Sequence, residues 1–307
     1  MKLLEINQVS KTYRGGSLLH KRVIHAVQDV SLSVEEGKCL AIVGESGSGK
    51  STLLRLLAGL EEPDKGEIHF CNQRITPQLM ERDTRRAIQM VYQNSFEATN
   101  PRFTALQVIE EPLRYFHLAE ASKRRGEVTA LLEQVGIPAL ELDKKVYEFS
   151  GGQLQRICIA RALAAKPKLL LLDEPLSSLD VSVQAQILNL LKDLQEAYGL
   201  TYVLISHDLE MVYNLSDHLA VLFSGAVVEE ITDMEMFHCL CHPYTDVLLQ
   251  KTAYSNPEEA EVQNSAGCVY ASRCPYAEDQ CWREVPPLIE IEPGHRIACH
   301  RKAKKKG

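Results

Sequence analysis

Cys39–Leu60 reads CLAIVGESGSGKSTLLRLLAGL. Cys39 to Val43 is a short, wholly apolar run, the pattern of a strand buried on both faces of a parallel sheet. The next residues fit G-x-x-x-x-G-K-[ST] at Gly44, Gly49, Lys50 and Ser51, and the apolar LLRLLAGL that follows reads as a helix, the strand–loop–helix setting this loop requires. Glycines let the backbone N–H groups turn inward around phosphate oxygens, and the helix N-terminus adds positive potential. Lys50 reaches the terminal phosphates and Ser51 can hold Mg²⁺. A Gly-Ser loop without function would match by chance in about one chain in a hundred of this length. The stretch therefore nominates Gly44, Glu45, Ser46, Gly47, Ser48, Gly49, Lys50, Ser51 and Thr52 as nucleotide contacts.

Three more apolar runs end in polar residues of matching chemistry. Leu169–Leu172 runs into Asp173 and Glu174. A carboxylate at the end of an all-apolar strand is costly to desolvate unless it meets a cation, so Asp173 is placed for the Mg²⁺ shell and Glu174 to orient or deprotonate a water. TYVLIS delivers His207 and AIQMVY delivers Gln93. A lone His is more often structural than catalytic. Four strands ending this way form a pattern, because open α/β sheets bind ligands at the carboxyl ends of their strands. Between Gln93 and Asp173 the chain reads as largely helical, and Ser150, Gly151, Gly152 and Gln153 open a helix that could be a second anion site.

In this order, GESGSGKST, Gln93, SGGQ, LLLLDEP, SSLD and His207 resemble the Walker A, Q-loop, signature, Walker B, D-loop and H-loop of ABC-transporter ATPases. The resemblance covers residues 1 to about 235 and implies an α/β P-loop cassette: a parallel-sheet core, an antiparallel β subdomain and a helical subdomain at about 95–165. It also implies that Gln93 joins Ser51 and Asp173 around Mg²⁺, and that Tyr13 stacks on adenine, where an ordinary strand aromatic is the alternative. In that family the signature of one cassette closes over the nucleotide of another, so a second ATPase subunit is expected. Coupling is expected to pass through the region after Gln93 to a cytoplasmic helix of the permease.

A narrower resemblance lies in MVYQNSFEATNPRFT, EFSGGQLQRICIARAL and HPYT, which are similar to ATPases of oligopeptide, dipeptide and nickel importers. GCVYASRCPYAEDQC…GHRIACH looks like the extension of the peptide branch, and RGGSLLHKRVIHAV like an insertion of its second, F-type ATPase. Cys268, Cys274, Cys281 and Cys299 are separated by five, six and seventeen intervening residues, unlike the C-x₂-C pairs of most structural zinc sites. In the resembled branch they carry a [4Fe–4S] cluster, with zinc as the alternative. The segment is short of core and follows the acidic stretch SNPEEAEVQNSA, so it is expected to stand apart and to need a staple. Cys39, Cys71 and Cys158 read as small core residues, and Cys239 and Cys241 as unpaired.

The 307 residues are 45% hydrophobic and 24% charged with net charge −7, enough for one large domain and an appendage. The acidic balance argues against a nucleic-acid partner, RKAKKKG being a solvated terminus. No apolar run reaches the roughly 18 residues of a membrane span and no secretory leader is evident, which points to the cytoplasm. The division expected is 1–237 for the ATPase domain and 238–307 for the extension. The function expected is ATP hydrolysis driving peptide import at the inner face of the cell membrane, with two permease subunits and, indirectly, an extracytoplasmic binding protein. Nickel or metal-chelate import, a soluble ABC ATPase and a redox-regulated cassette are the rivals.

Overall fold

The computed structural model describes residues 1–17, 20–177, 179–249 and 266–303. Two long strands open the chain, β1 (Lys2–Ser17) and β2 (His20–Glu35), paired antiparallel. The CLAIV run is β3 (Cys39–Val43), buried throughout, and α1 (Lys50–Leu57) follows the glycine loop. Then come β4 (Lys65–Phe70), β5 (Gln73–Arg74), α2 (Arg82–Ala87) and β6 (Ile88–Val91). The helical stretch is α3 (Ala105–Tyr115), α4 (Ala121–Gln134) and α5 (Gly151–Ala164). It returns to β7 (Leu169–Asp173), α6 (Val181–Tyr198), β8 (Thr201–Ser206), α7 (Leu209–Leu215), β9 (His218–Phe223) and β10 (Ala226–Ile231). The C-terminal part adds α8 (Pro243–Leu249), α9 (Asp279–Arg283), β11 (Ile289–Glu292), β12 (His295–Ile297) and α10 (His300–Ala303).

The strands form two sheets. One is antiparallel in the order β2-β1-β4-β5; the other runs β11-β12-β10-β9-β3-β8-β7-β6 and is parallel from β9 to β6. Period-two alternation divides β3 between two cores. Cys39, Ala41 and Val43 pack with the helical layer, whereas Leu40 and Ile42 pack with α1 and the antiparallel sheet. Apolar layers on both faces are why these strands read as unbroken hydrophobic runs. The register Val43↔Ser206, Asp173↔Ile205 and Val91↔Leu172 brings the carboxyl ends of β3, β8, β7 and β6 to one edge.

Two expectations change. Cys71 lies in the turn after β4, partly buried, at φ 49, where the chain reverses toward β5; Cys39 and Cys158 are core residues as read. The C-terminal segment does not stand apart on a core of its own. β12 pairs with β10, so its strands widen the main sheet, and Cys268, Tyr270 and Ala271 belong to the same hydrophobic cluster as the helical layer. The stretch SNPEEAEVQNSA falls outside the described residues except at Ala266, as do most of RKAKKKG and part of the insertion after Tyr13.

Candidate nucleotide site

Gly49 at φ 103 carries the chain from the loop into α1, and a Cβ there would sit 1.9 Å from the Ala26 carbonyl oxygen, so only glycine fits. Lys50 is 6% exposed, and its Nζ donates to the carbonyl oxygens of Gly44 at 2.8 Å and Glu45 at 2.7 Å and, at 3.4 Å, to Ser48 Oγ. Burial holds the Lys50 ammonium below its usual range, and Glu174, Asp173 and Glu45 push it back up. The loop, Ser51 and Thr52 line a cleft of about 640 Å³ together with Tyr13, Gln93, Glu174 and His207.

Glu174 lines the same cleft. Its φ of 42 is uncommon for a residue with a side chain. Gln93 donates to its Oε2 at 3.1 Å, and His207 Nδ1 lies 3.2 Å from the same oxygen. The backbone of the preceding residue, Asp173, is the last pair of β7 with β8. Burial raises the Asp173 carboxyl, helped by Glu174 and opposed by Lys50. Tyr13 enters the cleft from β1, its hydroxyl donating to Glu61 and accepting from Arg55 at 3.1 Å. Ile24, Ala26 and Leu248 line the cleft as well, and nothing in their sequence context announces it.

Ser150, Gly151, Gly152 and Gln153 are not in this cleft. They form the start of α5, where the Ser150 hydroxyl accepts from the Gln153 N–H at 3.3 Å and the Gln153 amide oxygen accepts from the Ser150 N–H at 3.0 Å. Ser150 and Gly151 are exposed. The structure thus joins Gln93, Glu174 and His207 to the phosphate loop, places Asp173 off the cleft lining but near enough to act on the Lys50 charge, and leaves the second glycine turn elsewhere on the surface.

Two side chains that the sequence did not nominate touch the loop. Arg273 donates to both Glu45 carboxylate oxygens, at 2.7 and 2.8 Å, and the Glu45 N–H donates to the Tyr244 hydroxyl at 2.7 Å. HPYT was legible as a family motif, and the Arg-Cys pair as part of the cysteine segment, but neither carried a sign of contact with residue 45.

The four cysteines lie in one region of the C-terminal part. Burial pushes the Cys268 thiol up to about 11, with smaller upward contributions from the charges of Cys281, Cys274 and Cys299. The Cys268 N–H donates to the Cys281 carbonyl at 2.8 Å, and a Cβ at Gly267 would lie 2.2 Å from that oxygen. No three of these sulfurs lie within 4.8 Å of one another; among the described residues the one such group of candidate ligand atoms is Glu229, Cys241 and His295. There the Glu229 carboxylate is already satisfied by the N–H groups of Cys241 and His242 and by His295, and it moors the C-terminal part to β10.

A family model described as "ABC transporter" matches residues 27–177, and one described as "Oligopeptide/dipeptide transporter, C-terminal region" matches 228–281. The oligopeptide transport ATP-binding protein AppF of Bacillus subtilis is 38% identical over 97% of both chains. The chain belongs to the ABC transporter ATP-binding proteins. It is also 38% identical to the dipeptide transport ATP-binding protein DppF of Escherichia coli, over 97% of this chain and 93% of that one. A dimeric ATP-binding cassette solved in a post-hydrolysis state with ADP and Pi superposes on the ABC core with a TM-score of 0.66 at 32% identity, covering 74% of this chain and 97% of that one. The cassette of this chain, with its peptide-transporter C-terminal region, therefore has both parts that the sequence resemblance implied, and its fold is the ABC fold. No helix among the described residues is long and apolar enough to cross a membrane.

Proposed function

We propose that this chain is the ATP-hydrolysing subunit of an importer of oligopeptides or dipeptides, seated on the cytoplasmic face of the membrane, with residues 1–237 as the ATPase domain and 238–307 as the extension. The observation that carries it is the Glu174 carboxylate, held between Gln93 and His207 across the cleft from Lys50. The loop N–H groups and Lys50 bind the phosphates, with Tyr13 beside the base. Mg²⁺, which Ser51, Gln93 and Asp173 would hold, supplies charge neutralisation between the phosphates. Glu174 takes a proton from a water aligned with the γ-phosphorus, Gln93 fixes the Glu174 oxygen, and His207 lies against the departing phosphate.

The start of α5 supports a two-cassette mechanism, because Ser150 and Gly151 are exposed and absent from their own chain's cleft. They close instead over the nucleotide of a second ATPase subunit. A groove of about 450 Å³ between the sheet and the helical layer, lined by Tyr92, Pro112, Tyr115 and Phe116, is where a permease helix docks. Tyr92, Tyr115 and nearby Phe96 are exposed aromatics of the sort that interfaces bury.

Cys268, Cys274, Cys281 and Cys299 hold a [4Fe–4S] cluster, zinc being the alternative. The four-thiol donor set on one short segment supports the reading. When bound, the group would cross-link four points of one short segment.

Glu174→Gln tests the ATPase reading, since the amide keeps the shape and cannot act as a base. In the assembled transporter, with any other catalytic cassette silenced in the same way, ATP turnover should fall by at least about a hundredfold while nucleotide affinity stays near wild type. Wild-type turnover would refute the role.

A further inference from the structure

Glu45 poses an electrostatic problem. It places a carboxylate on the loop that the proposed function assigns to the phosphates, where an unpaired negative charge would repel the nucleotide. The structure answers it with a residue from the other end of the chain. The Arg273 guanidinium meets both carboxylate oxygens in a two-bond fork, at 2.7 and 2.8 Å, which offsets the charge at the edge of the cleft.

Arg273 is itself held. Its guanidinium lies over the rings of Phe223, 5.4 Å away, and Tyr270, 5.9 Å away. Phe223, Tyr244 and Tyr270 stack edge to face or tilted, with centroids 4.6 to 5.5 Å apart. Phe223 ends β9, the neighbour of β3, and β3 runs directly into Gly44. Tyr244 is fully buried, and its hydroxyl accepts from the Glu45 N–H, so the same residue is gripped through backbone and side chain. Arg273 closes the short turn Ala271–Arg273 and is followed at once by Cys274.

We propose that Arg273, with Tyr244, is a positioning residue of the nucleotide site: it clamps and neutralises Glu45, so that the order of the cysteine segment sets how well the phosphate loop binds nucleotide. Arg273 touches no reacting atom. Its loss weakens ground state and transition state alike, and therefore raises KM for ATP more than it lowers kcat.

The test rests on the phosphate-loop reading and uses the full-length chain, titrated with MgADP by calorimetry, beside ATPase kinetics of the assembled transporter. Arg273→Gln should weaken ADP binding about tenfold and raise KM by a similar factor, with kcat within about threefold of wild type. Adding Glu45→Gln to it should regain most of that loss, because the stranded charge is gone; a segment that had merely unfolded would not recover. Binding by Arg273→Gln within twofold of wild type overturns the proposal, and so does a double variant no better than the single one. Should Arg273→Gln fail to fold, Tyr244→Phe replaces it: about threefold weaker binding is expected, and wild-type binding overturns the clamp. Lys50→Ala separates the two readings. If it leaves ADP binding intact, the phosphate-loop assignment fails; if it abolishes binding while Arg273→Gln has no effect, only the clamp fails.

Discussion

Single residues decide the nucleotide cleft, and Gly49 illustrates how tightly. Its φ of 103 and the Ala26 carbonyl 1.9 Å from the would-be Cβ leave no room for any side chain. Gly49→Ala is expected to lower stability by about 2 kcal/mol and to abolish detectable ATP binding, read from a thermal melt and a nucleotide titration. Unchanged binding would contradict the loop geometry. The residues legible in the sequence share one property: each follows a buried apolar run, directly or across the glycine loop, so local pattern betrays it. Lys50, Gln93, Asp173, Glu174 and His207 are all of this kind. Tyr244 and Arg273 were not legible as contacts, because they reach Glu45 across 199 and 228 residues and their own surroundings carry no trace of the partner. The positive φ of Glu174 was equally hidden, since only the packed sheet imposes it.

Among the elements, the parallel strands were the plainest. TYVLIS forms β8 to the residue, and CLAIV forms β3, because burial on both faces leaves an unbroken apolar run. The C-terminal strands were hidden for the opposite reason: β11 alternates Ile and Glu over four residues and β12 is only three long, too short for periodicity to speak. That gap made the cysteine segment look like a separate unit. Its packing changes what a cysteine replacement should do. Cys281→Ser is expected to lose the proposed metal group, to expose residues 266–303 to protease and, through Arg273, to weaken ADP binding about as much as Arg273→Gln. Iron and sulfide analysis of anaerobic protein, limited proteolysis and titration check these in turn. Stoichiometric zinc without iron would replace the cluster while keeping the staple; full nucleotide affinity in a proteolysed segment would break the link to the loop.

At the scale of the whole molecule, the cleft and the start of α5 are separate surfaces of one chain, and the proposed two-cassette catalytic unit needs both. The isolated chain is therefore expected to hydrolyse ATP slowly, with a rate that rises when the partner ATPase and permease are supplied. Specific activity that stays at the assembled level on dilution to a demonstrated monomer would sink the two-cassette mechanism. The main sheet has a further consequence through its C-terminal strands. Without β12, the backbone of β10 at Glu229, Glu230 and Ile231 would offer an open hydrogen-bonding rim beside buried acids. The strand that forms the rim instead is β11, brief and bearing Glu290 and Glu292 on its exposed positions. Short, charged borders discourage strand addition by neighbouring copies. The cysteine-bearing end of the chain thus also acts as a guard against self-templated aggregation, which matters most to a newly made subunit that has not yet met its permease.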